Sequence, residues 1–102
     1  MSFKRVVITG LGALTPIGNT LAEYWQGLKN GTSGAAPITK FDTTLFKTKF
    51  ACEVKNFDAG QFMDRKEARK LDPFSQYAMV VADEAIKHSN LPLSDINPDR
   101  VG

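Results

Sequence analysis

Cysteine occurs once in the 102 residues, so neither a disulfide framework within the chain nor a cysteine-rich zinc site can be built. Histidine also occurs once, and the carboxylates are scattered, so no metal cluster is expected. Charge of one sign is scarce. The formal net charge is only +2, from 13 basic and 11 acidic residues, too little to point to nucleic acid, which calls for a strongly basic face. No apolar run approaches the roughly 20 residues of a membrane span. The opening "MSFKRVVITG" lacks the apolar region of a signal peptide and leads straight into a strand pattern. A cytoplasmic setting is therefore expected, with neither nucleic acid nor membrane as a partner. Internal repeats and low-complexity tracts are absent.

What is present reads as alternating strand and helix. "RVVIT", Arg5 to Thr9, is a short β-branched run before glycine, the pattern of a strand covered on both faces. Thr20 and Glu23 fit a capping box, and Leu21, Tyr24, Trp25 and Leu28 follow as one apolar helical stripe. Lys29 falls in the last turn and Gly31 is the stop. Thr32 to Thr39 reads as a loop. "KFACEVKN" alternates, with Phe50, Cys52 and Val54 on an inner face and Lys49, Glu53 and Lys55 outside. Asp64 to Glu67 offers a second capping box for a short helix to Leu71. Asp72-Pro73 starts another helix, whose wide apolar stripe from Phe74 to Ile86 predicts a mostly buried element ending at Asn90. The last residues, "NPDRVG", read as a turn from Asn97 to Arg100 with Val101 opening another apolar element, so the expectation is an N-terminal piece of a longer chain.

The stretch "VVITGLGALTPIGNT" raises the question of a phosphate-binding loop. A dinucleotide fingerprint places three glycines where backbone amides approach a pyrophosphate. Gly10 and Gly12 fit, but Thr15 stands at the third position and Pro16 removes an amide. The helix cap comes late, at Thr20, and no lysine follows Gly18 as a P-loop requires. The glycines are expected to serve a sharp turn and close helix–sheet packing.

"RVVITGLGALTPIGNTLAEYW", "SGAAPITKFD", "KFACEVKNFD" and "DRKEARKLDPFSQYAM" together resemble the β-ketoacyl-(acyl carrier protein) synthases, the condensing enzymes of fatty-acid elongation, and their elongating type II branch in particular. The resemblance covers essentially all of residues 1–102. It implies a thiolase-like layered α/β fold, of which this segment supplies a core strand, flanking helices and an inserted hairpin-and-helix region. It also implies a homodimer and a decarboxylative Claisen condensation between an acyl-enzyme and malonyl-carrier. The substrates would ride on the phosphopantetheine of acyl carrier protein, with no cofactor bound covalently to the enzyme. The family's Cys-His-His set is expected beyond residue 102, so no catalytic residue is assigned here. Cys52 reads as a small apolar side chain in a packed strand face, and His88 as a solvated or capping imidazole in a last helical turn.

The segment "DRKEARKLD" stands apart. On a helix, Arg65, Lys66, Arg69 and Lys70 fall within an arc of roughly 140°, with Ala68 and Leu71 pointing toward a core. Such a stripe by itself is often only a solvated face. The resemblance implies docking of the acidic carrier protein on Lys66, Arg69 and Lys70, with Arg65 beside them. Two other classes of function are weighed against this one. A nucleotide-binding oxidoreductase domain needs the missing third glycine and an acidic residue closing a second strand, whereas Asp42 follows a loop. A non-catalytic module for an acidic partner needs only the stripe.

Overall fold

The computed structural model describes residues 2–102. Helix α1 (Leu21–Lys29) starts and stops where its end groups find partners. The Thr20 hydroxyl accepts from the Glu23 amide at 3.1 Å. Glu23 reaches back one residue further than a standard capping box, accepting from the Asn19 amide at 2.9 Å. At the other end Gly31 adopts φ +64. Gly31 N–H then donates to Leu28 O at 3.2 Å and Thr32 N–H to Gly27 O at 2.9 Å, the double bond pattern of a Schellman stop.

Strands β1 (Ala35–Pro37) and β2 (Phe50–Cys52) pair antiparallel, Ala36 opposite Ala51. β1 falls within Thr32 to Thr39, which the sequence alone presents as a loop. Its small residues carry no strand preference of their own, and the pairing with β2 supplies the ladder. The inner and outer faces of β2 are also reversed: Ala51 points inward, while Phe50 and Cys52 are exposed. Alternation fixes that neighbouring residues part to opposite faces; what the ribbon packs on decides which face is inner.

A 3₁₀ turn (Ala59–Gln61) leads to α2 (Arg65–Ala68), and α3 runs from Pro73 to Ser89. Asp64 and Asp72 occupy the expected N-terminal positions without making side-chain caps. Pro73 begins α3 as its fixed φ favours, and Asn90 ends it in the left-handed region at φ 52. The turn near the end is a 3₁₀ turn over Pro98–Arg100.

Two expectations of burial are overturned. The run Arg5 to Thr9 joins no ladder among the described residues, and Val6 and Ile8 are 92% and 83% exposed. Helix α3 buries only Val80, and Phe74 is 71% exposed. Their apolar patterns are intact, but the described residues contain no layer to cover them. The radius of gyration, 17.8 Å, exceeds the ~13 Å of a compact domain of this length. The small core that does form joins Ala59, Ala68 and Val80. Beside it Phe57 stacks on Phe62 at 5.9 Å and meets Tyr77 edge-on at 5.1 Å.

Candidate functional site

The opening loop is built against α3. A Cβ on Gly10 would collide with the carbonyl of Ala85, and one on Gly12 with the carbonyl of Val81. These carbonyls lie one helical turn apart, so both glycines permit the loop to lie along the α3 backbone. The amide following each glycine is already used. Leu11 N–H donates to His88 Nδ1 at 3.0 Å and Ala13 N–H to Glu84 Oε1 at 2.8 Å. The same Glu84 carboxylate accepts from Leu21 N–H at 3.0 Å, at the start of α1. A carboxylate thus sits where a nucleotide phosphate would have to be cradled, and its charge opposes one. The loop is a packing device, and the nucleotide-binding alternative has no place to form here. His88, read as solvated or capping, is exposed, and its Nδ1 also accepts a loop amide.

The basic residues occupy α2 and the turn that follows. Ala68 is 6% exposed and anchors the helix. Gln76 of α3 donates through Nε2 to Ala68 O at 2.9 Å, fixing the end of α2. The four cations are all exposed, as the helical arc predicts. They are not equivalent. Lys70 Nζ lies 3.1 Å from Glu67 Oε1, and Arg65 Nη2 lies 4.0 Å from Asp58 Oδ2. Lys66 and Arg69 form no ion pair among the described residues. Arg65 and Arg69 also line a notch of about 290 Å³ with Phe57, Asp58, Gly60 and Gln76. Asp58 is held there by a local turn, accepting from Gly60 N–H at 3.0 Å.

Cys52 is exposed on β2, so its role as a packed apolar residue does not hold. No group of three or more His, Cys, Asp or Glu with metal-binding placement occurs among the described residues, and no described helix is long and apolar enough to cross a membrane. Three residues that organise the site escape sequence reasoning. Glu84 is one, although an acid set among the apolar residues of a helical stripe was a usable signal. Lys55 is another: its Nζ donates to the carbonyls of Pro16, Gly34 and Glu53 at 3.1, 2.9 and 3.0 Å, tying the opening loop to the hairpin. Nothing local marks it. Asp58 is the third, and its Asp-Ala-Gly context signals a turn but not a neighbouring guanidinium.

The architecture is that of the N-terminal part of a thiolase-like condensing-enzyme fold. The ishigamide ketosynthase/chain length factor superposes with a TM-score of 0.79 at 37% identity, over 89% of this chain and 23% of that one. A type II PKS acyl-carrier protein in complex with its ketosynthase, bound to the hexaketide, gives 0.72 at 29% identity, over 98% of this chain and 25% of that one. Residues 3–102 match the family described as beta-ketoacyl synthase, N-terminal domain, and the chain belongs to that family. It is 52% identical over 99 residues to 3-oxoacyl-[acyl-carrier-protein] synthase 2 of Synechocystis sp., covering 97% of this chain and 24% of that protein. The same-named protein of Vibrio cholerae is 46% identical over 102 residues, 100% of this chain and 25% of that protein. The chain therefore spans about a quarter of the length of these relatives.

Proposed function

We propose that residues 1–102 are the N-terminal portion of an elongating 3-oxoacyl-(acyl carrier protein) synthase, supplying scaffold and part of the surface on which the carrier protein docks. In this reading the longer synthase is a cytoplasmic homodimer. A cysteine thiolate outside these residues displaces the carrier thiol from an acyl thioester. Malonyl-carrier then loses carbon dioxide, and the resulting carbanion attacks the acyl-enzyme carbonyl, forming the carbon–carbon bond and releasing the cysteine. Two histidines, also outside these residues, assist the decarboxylation and stabilise the developing charge. The substrates arrive on phosphopantetheine.

The observation that carries the docking reading is the exposed edge of α2, where Lys66 and Arg69 stand free of acids among the described residues and Lys70 and Arg65 flank them. Complementary charge speeds encounter and sets orientation while net affinity stays modest, which suits a partner that must leave after each delivery. In the synthase that carries this chain, Lys66→Glu or Arg69→Glu is expected to raise KM for acyl-carrier and to flatten its salt dependence. Unfolding free energy should change by less than about 0.5 kcal/mol, as for ordinary surface substitutions. An unchanged KM in both variants would overturn docking on this face. Residues 1–102 alone should give no condensation product from acyl-carrier and malonyl-carrier, and turnover would overturn the placement of the chemistry elsewhere.

A further inference from the structure

The notch beside the basic edge contains a counter-charge of the chain's own. Arg65 and Arg69 line it, and Asp58 is its single carboxylate. Asp58 Oδ1 is committed to Gly60 N–H at 3.0 Å, which fixes the acid in place. Its other oxygen lies 4.0 Å from Arg65 Nη2, the outer limit of an ion pair, and both side chains are more than half exposed. Such an exposed pair contributes little and exchanges readily. Gln76 Nε2 already donates to Ala68 O at 2.9 Å and to Leu71 O at 3.4 Å, so the two guanidiniums are the side-chain donors left to a visitor.

We propose that Asp58 is a built-in competitor of the docking partner: a carboxylate side chain on the acidic carrier protein enters the notch between Arg65 and Arg69 and takes the Arg65 guanidinium from Asp58. This rests on the docking reading above and adds the socket and its regulator. The planar fork of arginine suits a carboxylate, which it binds through two parallel hydrogen bonds. While Asp58 stays anchored by its turn, its charge lies beside the incoming anion and repels it. The acid therefore holds affinity down and hastens release.

The test measures binding of apo- and holo-carrier to the synthase that carries this chain, by calorimetric titration at low salt and at about 0.5 M salt. Asp58→Asn removes the charge but keeps an oxygen for Gly60 N–H, and Asp58→Ser does the same with a hydroxyl. Both variants should bind the carrier about two- to fivefold more tightly at low salt. The gain should be the same for apo- and holo-carrier, vanish when Arg65→Gln is added, and shrink at high salt. Unchanged or weaker binding in both Asp58 variants overturns the proposal, as does a gain that survives Arg65→Gln. A gain confined to holo-carrier assigns the notch to the phosphate of the pantetheine arm and overturns the carboxylate. Lys66→Glu separates the two levels. If it weakens binding while the Asp58 variants do nothing, docking stands and the notch mechanism falls. If it too leaves binding unaltered, the docking reading fails and takes this proposal with it.

Discussion

Glu84 links three elements through one side chain. One carboxylate accepts from Ala13 N–H at 2.8 Å and from Leu21 N–H at 3.0 Å, so the loop and the first turn of α1 are held to α3 by the same group. Two backbone donors lose their partner if it is removed. Glu84→Ala is accordingly expected to destabilise the fold by about 1–3 kcal/mol, the usual cost of orphaned donors in a partly buried site. Denaturant unfolding of the synthase that carries this chain checks this, and a variant as stable as the parent would remove Glu84 from the structural role given to it. Gly10 and Gly12 play the complementary part, since they permit the backbone approach that brings those amides to Glu84 and His88. At the basic edge the residue scale separates cations that look alike in the sequence. Lys70 and Arg65 lie within ion-pair distance of an acid, and Lys66 and Arg69 form no ion pair among the described residues.

In the hairpin and its connecting loop, two carboxylates accept local hydrogen bonds. Glu53 accepts from the Thr39 amide at 3.1 Å and from its hydroxyl at 3.0 Å. The Thr39 amide bond is the main reason its carboxyl is held below the usual range. Asp42 is lowered likewise, first by the Thr44 hydroxyl and then by the Thr44 amide. Because the folded state favours the charged forms, their contribution is fully present above the ordinary carboxylate values of about 4. It fades as pH falls and protonates them. Amide exchange at Thr39 and Thr44, referenced to an unstructured peptide at each pH, should therefore lose protection as the solution is acidified below that range. In Glu53→Gln the change at Thr39 should disappear while that at Thr44 remains. Protection at Thr39 that is indifferent to pH in the parent would contradict the role of Glu53. The two-stranded ribbon is too short to hold itself by ladder bonds alone, which is why Lys55, bridging three carbonyls, matters to its placement.

At the scale of the whole molecule, apolar patterning outruns the surface available to cover it. Val6, Ile8 and Leu45 are almost fully exposed, and α1 and α3 border a groove of about 790 Å³ lined by Leu11, Leu21, Trp25 and Leu28. Contiguous apolar faces of this kind mark contact surfaces in a larger assembly or a liability to self-association. The isolated 102-residue chain is accordingly expected to bind a hydrophobic dye and to elute above its 11.2 kDa mass. Light scattering that reports a clean monomer without dye uptake would contradict the exposure described.

How much was legible depends on the reach of each interaction. The start and stop of α1 follow from Thr20, Glu23, Asn30 and Gly31, all within a turn of the groups they satisfy. The start of α3 at Pro73 and the exposed arc of cations around Ala68 are local in the same way. The amino-acid sequence alone therefore determined these, together with family membership, whose motifs are spread along the whole chain. Only the tertiary structure decided the inner face of β2, the pairing of β1, the purpose of Gly10 and Gly12, and which cations meet acids. Those outcomes turn on contacts between residues as far apart as Leu11 and His88, 77 positions in sequence, and no short-range preference encodes which distant group will arrive.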